Sequence, residues 1–155
     1  MALKRNENLL ALSREHHYGL LFCWKIRQGL KKGISLERIR PYVAHFWETH
    51  LSNHFRKEEQ TLFGKGENDL YGTAEEEHGL IEGLVNGIVS GASTNKDEYV
   101  ALADMVEKHI RFEERSLFPS IEQSLSNDDL KKIGAQLKVE EAEDAEVGYS
   151  DEFWI

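Results

Sequence analysis

Apolar and polar positions alternate along most of this chain with a period of three to four residues, the repeat of a helix with one buried face. Leu9, Leu12, His16, Cys23, Ile26 and Leu30 follow that spacing, and Gly33 comes after them. A helix over about 7–32, stopped at the glycine, is predicted. Ser35 can cap a second helix running to about Phe63, with Pro41 in its first turns as a kink or lead-in turn. Gly64 to Asp69 reads as a loop. Thr73-Ala74-Glu75-Glu76 has the form of a capping box opening a third helix to about Ser90. Gly91 to Asn95 is a small-residue turn, a fourth helix covers about 96–117, and Pro119 marks its end. A short fifth helix is expected over 127–139. Short connections make successive long helices antiparallel neighbours. The expected fold is all-α: an up-down-up-down four-helix bundle with a short C-terminal fifth helix and an acidic tail.

Two helical segments repeat each other. Residues 54–63, HFRKEEQTLF, and 109–118, HIRFEERSLF, share the form H-x-x-x-E-E-x-x-L-F. Residues i and i+4 sit about 40° apart on a helix, so His54 and Glu58 share a face, as do His109 and Glu113. Polar pairs on otherwise core-facing helices are unexpected unless they hold something. Glu15-His16 and Glu77-His78 stand on the helices before them, so each half is a helical hairpin with a histidine leading into an H-x-x-x-E. Six ligand-type side chains, His16, His54, Glu58, His78, His109 and Glu113, are thereby expected to converge between four helices. Imidazoles with carboxylates and no thiolate suit iron or manganese, and zinc would accept the same set. A carboxylate can bridge two ions, which gives Glu58 and Glu113 the bridging role and the histidines the terminal ones. Ferritin-like proteins repeat E-x-x-H on two helices; only Glu75 with His78 has that spacing here.

Neighbouring positions read differently. His16 shares a face with Leu12, Cys23 and Ile26, whereas the face of His17 meets Arg27 and Gln28, so His16 is favoured. His50, one turn before His54, fits either a ligand or a polar residue near the site. His45 falls outside it. Glu59 and Glu114 turn about 100° away from the ligands, toward solvent or salt bridges. Trp24, Phe46, Trp47, Phe55, Met105 and Phe112 read as packing, and Met105 and Val106 as the wall of a dry pocket.

Composition narrows the setting. The chain has 155 residues, a net charge of −9 and one cysteine, Cys23, so it has no internal disulfide, and a cytoplasmic protein is expected. No segment reads as a signal peptide or membrane span. Seven acids and no base lie in 140–155, which leaves the other residues at −2. No basic stripe points to nucleic acid. The division expected is a bundle domain, 1–139, and an acidic, solvated tail, 140–155. The apolar end Phe153-Trp154-Ile155 can dock on this body, on a sister chain or on nothing, and the tail is the expected contact for a protein partner.

With Glu15-His16, 54–63, Glu77-His78 and 109–119 in this order, the chain resembles the hemerythrin-like, or HHE cation-binding, domain family over about residues 7–124. The resemblance implies a four-helix bundle with a non-haem di-iron centre, two iron ions bridged by oxo and carboxylate groups, that binds oxygen. The six residues above match its ligands. Two departures stand out. The marine oxygen carriers have H-x-x-x-H on the third helix, where this chain has Ala74 four residues before His78. They have H-x-x-x-x-D on the fourth, where this chain has H-x-x-x-E. His17, His50, Glu75, Glu82 or water are candidates for the position Ala74 leaves. The expected function is binding or sensing of oxygen or another diatomic. The alternatives are iron sequestration, consumption of peroxide or nitric oxide, or a helical interaction module with a structural metal. No substrate pocket or general base is read, so catalysis is not expected.

Overall fold

The computed structural model describes residues 5–139 and 149–155. Most of the acidic stretch expected to be a solvated tether, 140–148, lies outside the described residues. All elements among the described residues are helical: α1 (Leu10–Lys31), α2 (Leu36–Phe46), a π-helical turn (Trp47–Leu51), α3 (Ser52–Thr61), α4 (Leu70–Val89), α5 (Lys96–Phe112), a second π-helical turn (Glu113–Leu117), α6 (Phe118–Ser124) and α7 (Asn127–Val139).

The first helix ends where the glycine predicts. Gly33 takes φ +71°, a conformation that costs glycine little, and the next amide, Ile34 N–H, returns to the Gly29 carbonyl at 2.9 Å. The second helical body runs through Pro41 and contains a π-helical turn, in which the Ser52 N–H reaches back five residues to the Trp47 carbonyl.

Two helix boundaries differ from expectation. The helix assigned to the Thr73 capping box starts earlier, at Leu70. There the Asn68 side chain accepts the Leu70 N–H at 2.9 Å, which leaves Thr73 exposed inside the helix. The helix expected to stop at Pro119 continues to Ser124. In the π-helical turn before it, Phe118 N–H bonds the Glu113 carbonyl. The next bond in that series would need an N–H on residue 119, which proline lacks. The Glu114 carbonyl instead accepts from Arg5 Nη2 at 2.7 Å, so the helix passes the proline with that group satisfied.

Four helical bodies make a ring of contacts: α1 with α2 and α3, α2 with α4, α4 with α5, and α5 with α1. They enclose two apolar clusters. One contains Phe22, Ile26, Val43, Phe46, Ile81, Val106 and Ile110. The other contains Leu12, Leu62, Ala74, Leu117, Phe118 and, from α7, Leu130 and Ile133. Trp24, read as packing, is 49% exposed beside exposed Leu20, because both lie on the outer face of α1, the face that carries His17. Cys23 is buried with its thiol donating to the Ala103 carbonyl.

The C-terminal segment returns to the bundle. Phe153 is buried against Gly29, where a Cβ would lie 2.8 Å from its ring. Tyr149, Phe153 and Trp154 surround Tyr42. Lys25 Nζ sits 3.9 Å from the Trp154 ring centroid, and Arg38 pairs with Asp151 at 2.7 Å.

Candidate metal centre

Every helical body carries its ligand-type residues between residues of the two apolar clusters. In α1, His16 lies between Leu12 and Phe22; in α3, His54 and Glu58 precede Leu62 and follow Leu51. In α4, His78 lies between Ala74 and Ile81; His109 and Glu113 lie between Val106 and Leu117. Burial of the flanking apolar residues draws these side chains inward, and all six are at most 4% exposed.

They converge as two overlapping groups. His16, His54, Glu58 and Glu113 form one, and Glu58, His78, His109 and Glu113 the other; within each group the ligand atoms lie within 4.8 Å of one another. Glu113 spans both, with Oε1 2.8 Å from His16 Nε2 and Oε2 3.4 Å from His109 Nε2. Glu58 Oε1 is 3.4 Å from His54 Nε2 and 3.2 Å from His78 Nε2. The two glutamates are therefore shared and the four histidines divide two and two.

The other nitrogen of every ring is also engaged. His54 Nδ1–H donates to Glu15 at 2.8 Å, His78 to Glu59 at 2.7 Å, His109 to Glu77 at 2.8 Å and His16 to Glu114 at 2.9 Å. A carboxylate only accepts, so each contact places the hydrogen on Nδ1 and turns the Nε2 lone pair inward. The four links form a closed ring: α1 to α3, α3 to α4, α4 to α5, and the turn after α5 back to α1. Sequence reasoning placed Glu59 and Glu114 outward and gave Glu15 and Glu77 no role. The signal was present: each of the four stands next to a proposed ligand in the chain.

The electrostatics call for cations. His54 Nε2, both Glu58 oxygens and Glu113 Oε2 are buried without hydrogen-bond partners, an arrangement proteins avoid. Nε2 of His78 faces Nε2 of His109 at 3.1 Å, two lone pairs that repel unless something positive lies between. In the metal-free protein protons fill that role. Burial opposes a charge on His109, but Glu113 and Glu77 outweigh it and raise its pKa to about 9. Burial, reinforced by His109, pushes His78 down to about 3. Burial and the facing Glu113 carboxylate push Glu58 up. Burial would also raise Glu15, yet His54 and Lys57 hold it at about 2. Nitrogen and oxygen donors in two sets with shared carboxylates fit a pair of metal ions in place of those protons.

The hemerythrin HHE cation-binding domain model matches residues 8–121. The chain belongs to this family. A DNA nickase from Nostoc sp. strain PCC 7120 is 30% identical over 110 residues, which cover 66% of this chain. The chain spans about a third of that relative, 31% of its length. No solved structure is matched at a significant level.

Within the hemerythrin-like fold, the place left by Ala74 stays apolar. Ala74 is fully buried in the second cluster. Glu75, Glu82 and His17 are exposed. His50 is buried but its Nε2 meets the Glu15 carbonyl at 3.3 Å; burial, with His54 adding, pushes its pKa down to about 4. His45 lies against Tyr149, away from the centre. Beside the centre is a cavity of about 10 Å³ walled by Gly19, Leu51, Phe55, Val106 and Ile110 together with His16, His54 and His109. Val106 thus lines it as expected, while Met105 packs against the first cluster.

Proposed function

We propose that this chain holds two iron ions between its helices and takes up a small diatomic ligand, oxygen foremost, at that centre. One observation carries the reading: four inward Nε2 atoms meet two shared carboxylates in a buried space where several of these atoms lack partners. His16 and His54 would hold one ion, His78 and His109 the other, and Glu58 and Glu113 both. Iron is favoured by the nitrogen–oxygen donors and the lack of thiolate at the site. Two ferrous ions bound there would supply electrons and open coordination positions for a diatomic molecule. The protein's part is to hold and shield. Nδ1 contacts fix each ring, the shared carboxylates fix the spacing, and the apolar walls exclude bulk water. A cavity of about 10 Å³ matches a single water-sized molecule, which favours a diatomic over a larger substrate.

The up-down-up-down arrangement belongs to this reading. It is supported by the order in which the helices visit the clusters, the second cluster first in α1 and α4 and the first cluster first in α2–α3 and α5. A cytoplasmic setting is part of the same proposal, supported by a lone thiol that a reducing compartment would keep free. No helix among the described residues is long and apolar enough to cross a membrane. The nicking activity named for the Nostoc protein is not carried over: most of that protein lies beyond the match, and a chain of net charge −9 is poorly suited to DNA.

Metal analysis and an absorption spectrum of the purified protein test the proposal. About two irons per chain, with a spectrum that changes reversibly as oxygen is supplied and removed, is the expected result. A colourless protein that keeps its fold after chelation and takes up no iron would overturn it. An irreversible spectral change would point to consumption of the ligand instead of binding.

A further inference from the structure

The two ligand sets are chemically identical, two histidines and two shared glutamates each, but their surroundings are not. On the His16/His54 side, both ring-bound carboxylates are also paired to cations. Glu15 accepts from Lys57 Nζ at 2.7 Å. Glu114 lies 3.5 Å from Arg5 Nη2, and Arg5 Nη1 is held by Glu122. On the His78/His109 side, Glu59 and Glu77 make no ion pair to Lys or Arg among the described residues. Their ion-pair contacts are to the ligand-type histidines His78 and His109.

Lys57 makes this contrast deliberate in physical terms. It is 3% exposed, and burying an ammonium is costly unless it is paired. The internal repeat shows that the fold does not require it. Aligning His54 with His109 sets Lys57 opposite Phe112, an apolar residue packed against the second cluster. The hairpins therefore match in all six proposed ligands and all four ring carboxylates, and differ in a buried charge beside one set.

We infer that Lys57 and Arg5 make the two cation positions unequal, so that the His78/His109 position binds its cation more tightly and fills first. A positive charge near a cation position weakens binding there, and a carboxylate without a lysine or arginine beside it strengthens it, most of all in a buried site. Partners of ligating histidines typically alter metal affinity 10–100-fold, so a separation of about tenfold between the two positions is expected. This rests on the reading of the cluster as a dinuclear metal centre.

Titration of the metal-free protein with cobalt(II), followed by proton NMR, tests it. Cobalt shifts the Nδ1–H signals of the histidines that bind it, and each signal is assigned by its movement in Glu15→Gln, Glu59→Gln, Glu77→Gln and Glu114→Gln. The first equivalent should shift the signals assigned to His78 and His109, and the second those of His16 and His54. Lys57→Met should narrow the separation at least threefold by tightening the second step. Arg5→Gln, a less buried change, should act in the same direction if Lys57→Met does not fold. Four signals growing together, His16 and His54 shifting first, or no response to the variant that folds would overturn the inference. Absence of any cobalt binding would instead remove the metal centre itself.

Discussion

Replacing Glu58 or Glu113 by alanine removes a carboxylate shared by both ligand sets, so either change should abolish two-ion loading. Replacing Glu59 or Glu114 removes only the acceptor for one histidine Nδ1–H. Loading should survive with affinity reduced about 10–100-fold, as read by metal content after dialysis against a graded chelator. Equal and complete loss in all four variants would contradict this division. The position of these glutamates on the helix was legible from the sequence, since i and i+1 diverge by about 100°. Their partners were not. Whether a half-exposed Glu59 ends in water or on His78 depends on the distance between α3 and α4, and a helical period holds no information about that distance. His16 was easier to read, because its own face is apolar on both sides, while His17 lies with exposed Leu20 and Trp24.

At the scale of elements, the π-helical turn at Trp47–Leu51 solves a phase problem. Phe46 and His54 both face inward, yet eight residues apart on a regular helix they would diverge by about 80°. Absorbing one residue in the wider turn brings them within about 20°. Deleting exposed Thr49 should therefore be tolerated: a regular helix over the remaining residues meets the same requirement. Helical circular dichroism and two-ion loading should persist. Inserting one alanine after Thr49 should instead rotate His54 and Glu58 away and lose loading with helicity retained. A deletion variant that cannot bind metal would refute this account. The sequence announced long helices at these places through their buried faces, but it did not announce the wider turns, which follow from fitting two fixed faces to one bundle. Pro119 misled for the same reason. Read alone it ends a helix; beside a π-helical turn, with Arg5 supplying the missing donor, it does not.

For the whole molecule, two caps close the ends of the bundle. Helix α7 covers the cluster around Leu12 and Phe118, and the segment 149–155 covers the one around Tyr42 and Phe46. Phe153→Ala empties a fully packed site against Gly29 and should cost about 3–5 kcal/mol of stability, measured by urea unfolding of the metal-free protein. Metal loading should be unaffected, because the ligands lie at the other side of the first cluster. Unchanged stability would mean that the terminal segment does not seat there in solution. Of the three fates open to the apolar end, the sequence could not choose. The choice rests on a notch at Gly29, an aromatic platform at Tyr42 and an ammonium at Lys25, all distant in the chain.

The ring of histidine–glutamate links has a consequence for origins. Glu15 to His54 and Glu77 to His109 are links inside a hairpin, while Glu59 to His78 and Glu114 to His16 are links between hairpins. Exchanging the two hairpins maps each kind onto itself. Two separate copies of one hairpin, meeting about a two-fold axis, would thus form all four links without any linker, and a gene duplication that joined them would inherit a finished centre. The covalent connection then frees each copy to diverge. On this chain one divergence visible at the centre is a lysine in one copy where the other has phenylalanine.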